Sequence, residues 1–373
     1  MLRLGLLLLF SVGHVTLALA LVDTALFSNG DLNYSMYRIP GIVRGAGGVL
    51  LAFCEARKLG GSDHGWVDLA LRRSSDAGQT WSPIQIVLSE SNATHHVTVG
   101  NPAPVVDEVS GRVFLWFSRD NAQMAYLASD DNGVTWSEPV EMSDAIMAPH
   151  NWTSIFTGLS GGLTLAPSTS VHAGAGARAG NRRLIVCSNH GDSRGGRFSA
   201  SLYSDDRGAS WQAGESVGPW GSTECNLGQT DTAVFMYSRM WNQAKRPYGH
   251  AYGIARSIDG GVTFDNFTTR GIDWPQPDCE GTMRVVQSAG SGCFVLVAPY
   301  GGARANMTLS YSCGNEPAVW KQDRVLWPGY AAYSSMTSAA SGTLFVLYER
   351  GDAGITELRL TQVDVPSCAP TTL

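Results

Sequence analysis

Lysine is nearly absent from this chain. Only Lys58, Lys245 and Lys321 carry it, so the 26 basic residues are almost all arginine, and no single arginine is informative by its identity. Charge of either sign is sparse at 16 %, and the formal net charge is −6. A nucleic-acid binder would need a basic face, so that class is excluded. Long runs of helix-forming residues are missing too, while Gly is abundant at 43. That balance points to many short strands joined by turns. After the first twenty residues no apolar run is long enough to cross a bilayer. Glycine-rich phosphate loops, zinc-ligand spacings and serine-hydrolase elbows are likewise lacking. His95 and His96 are adjacent, and neighbours on a strand point to opposite faces, so they do not suggest a metal site. No cofactor and no metal are expected.

Near the start Arg3 supplies a positive charge, followed by an apolar run from Leu4 to Val12 and then Ala18-Leu19-Ala20, which has the small-x-small form of a cleavage site. Residues 1–20 therefore read as a signal peptide, and residues 21–373 as the mature domain. His14 and Thr16 interrupt the apolar stretch and weigh against the alternative, an uncleaved membrane anchor. Asn33, Asn92, Asn151, Asn266 and Asn306 each begin an Asn-x-Ser/Thr sequon, which fits passage through a secretory pathway. Secretion or residence in the secretory lumen is expected, with lysosomal or cell-surface placement as variants. Seven cysteines then allow one to three disulfides and leave at least one thiol over.

A short pattern recurs: Ser74–Trp81 (SSDAGQTW), Ser129–Trp136 (SDDNGVTW), Ser204–Trp211 (SDDRGASW) and Ser257–Phe264 (SIDGGVTF). A degenerate copy that has lost its aspartate starts at Ser310 and ends at Trp320. Such regular recurrence marks a repeat architecture. Within each copy Asp can bond turn amides, Gly takes a positive φ, and the aromatic packs down, so Asp76, Asp131, Asp206 and Asp259 read as structural.

Between the turns lie six pairs of apolar runs. They are Val49–Arg57 with Val67–Arg73, Arg112–Arg119 with Met124–Ser129, and Leu184–His190 with Ser199–Ser204. The others are Ala233–Arg239 with Ala251–Ser257, Cys293–Tyr300 with Met307–Ser312, and Leu344–Arg350 with Ile355–Val365. Six similar sheets predict an all-β, six-bladed β-propeller, with the segment near Leu26 completing the last blade. A two-domain β-sandwich explains the spacing less well. The first run of most pairs ends in charge: Glu55 and Arg57, Arg119-Asp120, His190, Arg239, and Glu349-Arg350. Equivalent strand ends in a propeller converge on one mouth, so an arginine-rich pocket for a carboxylate or phosphate is expected there.

With Tyr37-Arg38-Ile39-Pro40 preceding the four ordered Asp boxes, the chain resembles the non-viral sialidase family over nearly all of its length. The resemblance implies three arginines around the substrate carboxylate, matched by Arg38, Arg239 and Arg304. Glu349 matches the glutamate that orients the first of them, and Arg57 matches a further pocket arginine. Asp63, in Gly60-Gly-Ser-Asp-His-Gly65, matches the acid, with Asp68 as its competitor; the apolar alternation around Asp68 suggests the polar face of a strand. Tyr333 matches the nucleophile, with Tyr330 as runner-up, and Glu224 matches its base, against the alternative of a solvated loop carboxylate. A tyrosine suits a reacting carbon that itself bears a carboxylate, because an anionic Asp or Glu would be repelled. Two departures stand out: Glu280 where many relatives have Gln, and Trp66 where Asp is common. Both are expected to alter the pocket rim or the substrate preference without removing a catalytic role.

The resemblance thus implies retaining hydrolysis of terminal, α-linked sialic acid from glycoproteins, gangliosides and oligosaccharides, with sialylated glycans as the partners. A trans-sialidase would use the same core, and a sialic-acid-binding lectin would need the arginines alone. Retention of Asp63, Glu224 and Tyr333 together argues against the lectin. The arms of the sugar are poorly specified, with Arg119, Asp120 and His190 as strand-end candidates.

Overall fold

Strands buried on both faces should be apolar without alternation, and that is how the middle strands of this chain read. Along Val113–Arg119, Val113, Leu115 and Phe117 pack with Leu51 and Phe53 of the preceding sheet. Phe114 and Trp116 pack the other way, with Ile155 and Leu184 of the following sheet. The computed structural model describes residues 22–166, 182–241, 252–268, 277–288, 291–339 and 342–368. The expected signal peptide at residues 1–20 lies outside them.

The fold is a β-propeller of antiparallel strands. The first sheet runs Met36–Arg44, Leu50–Arg57, Val67–Ser74, Gln85–Leu88, from the innermost strand outward. The second runs Val99–Val106, Val113–Arg119, Gln123–Ser129, Val140–Glu141. The third is built on Ser154–Thr157, Leu184–Gly191 and Arg197–Ser204, and the fourth on Ser222–Gln229, Val234–Met240 and Tyr252–Ser257. A seven-stranded sheet follows, divided by one long strand, Lys321–Ser338. Its first half pairs with Ala305–Cys313 and its second half with Thr343–Gly351, so this sheet serves as two units sharing a strand. Asp23–Ser28 closes the ring against Glu357–Asp364, as the sequence suggested for the segment near Leu26. Hydrophobic clusters fill the space between neighbouring units all the way round.

The repeated turns are staples. In the first, the Ser74 hydroxyl donates to Asp76 at 2.8 Å, and the Thr80 amide donates to the same carboxylate at 2.9 Å. The same bonds recur around Asp131, Asp206 and Asp259. The glycine of each turn has positive φ, and at Gly208 (φ 87°) a Cβ would lie 2.1 Å from Phe114 of the preceding unit. Each turn therefore needs glycine both for its backbone and for its close approach to a neighbour.

Cys187–Cys225 links the third and fourth units, and Cys313–Cys368 ties down the C-terminal segment. Cys54, Cys279 and Cys293 are buried thiols. Among the described residues no helix is long and apolar enough to cross a membrane.

Candidate active site

The innermost strands are irregular where the polar residues fall. Their register breaks between Arg38 and Gly41, Gly100 and Ala103, Ser222 and Cys225, and Ala331 and Ser334. An extra residue at a bulge bends the strand and re-aims side chains, and Glu224 and Tyr333 lie within such breaks. Ile39 and Asn101 both have a φ of 56°. For a β-branched residue such as Ile39 this costs on the order of 1–3 kcal/mol, so the surroundings must enforce it. Buried glutamates do so. The Ile39 amide donates to Glu349 at 2.9 Å, and the Asn101 amide donates to Glu55 at 2.8 Å.

These bulges surround a cavity of about 400 Å³, lined by Arg38, Arg57, Asp63, Glu224, Arg239, Arg304 and Tyr333 among others. The elements that carry these seven residues come from four different units, which explains their wide separation in sequence. Glu349 lies beneath the cavity, fully buried. It accepts two bonds from the Arg38 guanidinium, at 3.0 Å each, and one from the Tyr333 amide at 3.1 Å. One carboxylate thus sets the position of both an arginine and the tyrosine. A fork-to-fork pair of this kind fixes orientation as well as charge.

Tyr333 donates its hydroxyl to Glu224 at 2.8 Å and accepts a bond from Arg239 at 2.9 Å. Arg239 also bonds Glu224 directly and reaches the Asp278 carboxylate at 2.8 Å. Burial, then the charge of Glu224, push the Tyr333 phenol well above its ordinary value, although Arg239 and Arg38 pull the other way. The phenol is therefore neutral at rest, with a carboxylate in contact to take its proton. Arg304 donates to the Asp278 backbone carbonyl at 3.0 Å and lies 5.7 Å from the centre of the Tyr333 ring. The Arg38 guanidinium lies over the same ring at 5.0 Å.

Asp63 sits on the loop after Leu50–Arg57, its side chain 70 % exposed, 2.8 Å from Arg57 and 3.7 Å from Arg38. Partial burial raises its carboxyl, but the charge and hydrogen bond of Arg57, with Arg38 behind, outweigh that and hold it below the ordinary value. Arg57 is itself anchored by Glu55 at 2.6 Å.

Several expectations need correction. Asp68 lies on the strand Val67–Ser74, as expected, but its face is buried, and it accepts bonds from Tyr34 at 2.6 Å and Trp66 at 3.0 Å. Glu224 is on the strand Ser222–Gln229, so it is the alternative of a solvated loop carboxylate that falls, not the placing of Glu224 beside Tyr333. Glu280 is no rim residue. It is fully buried, accepts bonds from Ser160 at 2.7 Å and the Ser334 amide at 3.3 Å, and burial pushes its carboxyl up to about 8. Tyr330, Trp66, Arg119, Asp120 and His190 do not line the cavity. Arg119 points outward to Glu90 and Glu141, and His190 stacks on Trp152 with ring centres 3.7 Å apart. Glu55, named at a charged strand end, lines the cavity as expected, whereas Asn101, Phe156, Thr157, Arg197 and Trp241 line it and were not recognised in the sequence. Asn101 carried a usable signal, an Asn-Pro break in an apolar run; the others carried none.

A propeller whose central mouth holds several arginines, three carboxylates and a hydrogen-bonded tyrosine defines a site for an anion. The BNR repeat-like domain family matches residues 48–346, and the chain belongs to that family. Its matched relatives are sialidases of the non-viral kind that the sequence resembles. The Micromonospora viridifaciens sialidase is 28 % identical over 356 residues, covering 87 % of this chain and 51 % of its own length. Among solved structures, the Hadza microbial sialidase Hz136 superposes with a TM-score of 0.78 at 21 % identity, over 92 % of this chain and 68 % of that one. A Trypanosoma rangeli sialidase in complex with 2,3-difluorosialic acid, a covalent intermediate, has a TM-score of 0.70 at 18 % identity, over 87 % and 53 %. The chain spans 51 % to 62 % of the length of the first three curated relatives.

Proposed function

We propose that this chain is an exo-α-sialidase that removes terminal sialic acid from glycoproteins, glycolipids and oligosaccharides with retention of configuration. The observation that carries this reading is the Tyr333 hydroxyl, held 2.8 Å from Glu224 and 2.9 Å from Arg239 in one cavity with Asp63 and the arginines. Arg38, Arg239 and Arg304 bind the sugar carboxylate by charge-assisted bonds. Asp63 gives its proton to the departing glycosidic oxygen while Tyr333, losing its proton to Glu224, bonds to the anomeric carbon. Water then attacks that carbon, Asp63 takes the water's proton, and the Tyr333 oxygen leaves and regains its own from Glu224. A covalent sialyl-enzyme of the sort described for the trypanosomal neighbour is the intermediate of this scheme.

The five sequon asparagines are all exposed, which with the leader-like start supports a secreted protein whose mature domain is residues 21–373. To test the function, the purified protein is incubated with 3′- and 6′-sialyllactose and a Kdn glycoside, with excess lactose as acceptor. Free sialic acid is the expected product. Sialylated acceptor would identify a transferase, and binding without product a lectin.

A further inference from the structure

The charges of the cavity do not all cancel locally. Arg38, Arg57 and Arg239 each have a carboxylate partner at 3.0 Å or closer. Arg304 has none among the described residues, and its place beside Tyr333 suits it to the sugar carboxylate. Arg197 also has none. Its guanidinium lies over the Phe156 ring at 5.2 Å from the ring centre and over the Trp241 ring at 5.6 Å. Aromatic faces hold a cation in place without using its N–H groups, which stay available to a ligand. Phe156 is nearly buried and Trp241 is 44 % exposed, so the clamp stands at the mouth, with Arg197 on the cavity wall.

The position of this wall says which part of a sialoside it meets. On the reading proposed above, the carboxylate is bound by arginines of the first, fourth and fifth units, and the glycosidic oxygen faces Asp63. The Asp63 carbonyl accepts a bond from Asn121, so the leaving group lies towards the first and second units. Arg197 belongs to the third unit and Trp241 adjoins the fourth. They therefore face the far side of the ring, which carries the acyl and glycerol arms.

We propose that Arg197, clamped by Phe156 and Trp241, forms a second oxyanion subsite that selects sialic acids bearing a sulfate or phosphate ester on the far arm. This rests on the sialidase reading. An uncharged arm would leave the guanidinium to water, whereas an ester oxyanion gives it charge-assisted, forked hydrogen bonds.

The test compares kcat/KM of the whole protein on 4-methylumbelliferyl N-acetylneuraminide and on its 9-O-sulfate and 9-O-phosphate. A methylumbelliferyl α2,8-disialoside, whose extra carboxylate lies on the leaving side, is included as well. The wild type should favour one or both esters by about tenfold or more, and the two arms show which ester is preferred. Arg197→Gln should bring that preference to within about threefold, so that the esters lose more than the plain substrate does. Arg197→Lys, which keeps the charge without the fork, should retain part of the preference. The subsite is overturned if wild type treats esters and plain substrate alike, if only the disialoside is favoured, or if Arg197→Gln weakens all substrates equally. The last outcome would mean that Arg197 merely packs against Trp241. No cleavage of any glycoside by wild type would overturn the sialidase reading, and the subsite with it.

Discussion

In the proposed scheme Tyr333 is the residue on which the chemistry turns. Tyr333→Phe removes one oxygen and leaves Glu224, Arg239 and the Glu349 bond to the Tyr333 amide in place. Turnover of sialyllactose should drop by roughly 10³-fold or more, with the fold unchanged by circular dichroism. Asp63 leads to a pH prediction. Its carboxyl is held below the ordinary value, so the protonated form that can serve as acid is scarce at neutral pH and grows as pH falls. Hydrolysis of sialyllactose should rise towards acid pH. Asp63→Asn should cost about 10²–10⁴-fold on that substrate, and far less on a 4-nitrophenyl glycoside, whose leaving group needs no proton. A pH profile unchanged by Asp63→Asn would contradict the assignment. At this scale the sequence was legible where a side chain extends straight from a strand end into the mouth, as at Arg57 and Arg239. It misled where the direction was decided by a partner elsewhere: Glu90 and Glu141 draw Arg119 outward, and Glu357 does the same for Arg350.

The elements divide along physical lines. The middle strands were readable because both faces are buried, giving apolar runs such as Val113–Phe117. Innermost strands were harder. Their bulges place Pro40 and Gly41, or Gly100, Asn101 and Pro102, inside a strand, which breaks any periodic signal. Outer strands such as Val140–Glu141 are two exposed residues long and leave no pattern at all. The repeated turns were fully legible as local chemistry, but their packing onto the preceding unit depends on tertiary contact. Gly208→Ala tests that packing. The substitution strains a φ of 87° and drives a methyl towards the Phe114 ring, so a loss of about 2–4 kcal/mol is expected in urea unfolding. A change under about 0.5 kcal/mol would show that the turn can move away freely.

For the whole molecule, closure of the ring is the main requirement, and Asp23–Ser28 supplies the last strand from the far end of the sequence. Phe27 is fully buried there, its ring centre 5.5 Å from that of Tyr37 in the first unit. Phe27→Ala should cost about 3–5 kcal/mol and lower the melting temperature, because it opens the seam between the last and first units. Closure also explains why the site assembles. Arg38 and Tyr333 belong to the first and last units, and Glu349 bridges them across that seam.

The central claim, a retaining hydrolase with Tyr333 as nucleophile, is tested most directly by following cleavage of 3′-sialyllactose by proton NMR from the first minutes, with wild type and Tyr333→Phe in parallel. The α-anomer of free sialic acid should appear first with wild type and mutarotate to β, and Tyr333→Phe should release no comparable product. Initial appearance of the β-anomer, or release by Tyr333→Phe at a rate near wild type, would contradict it.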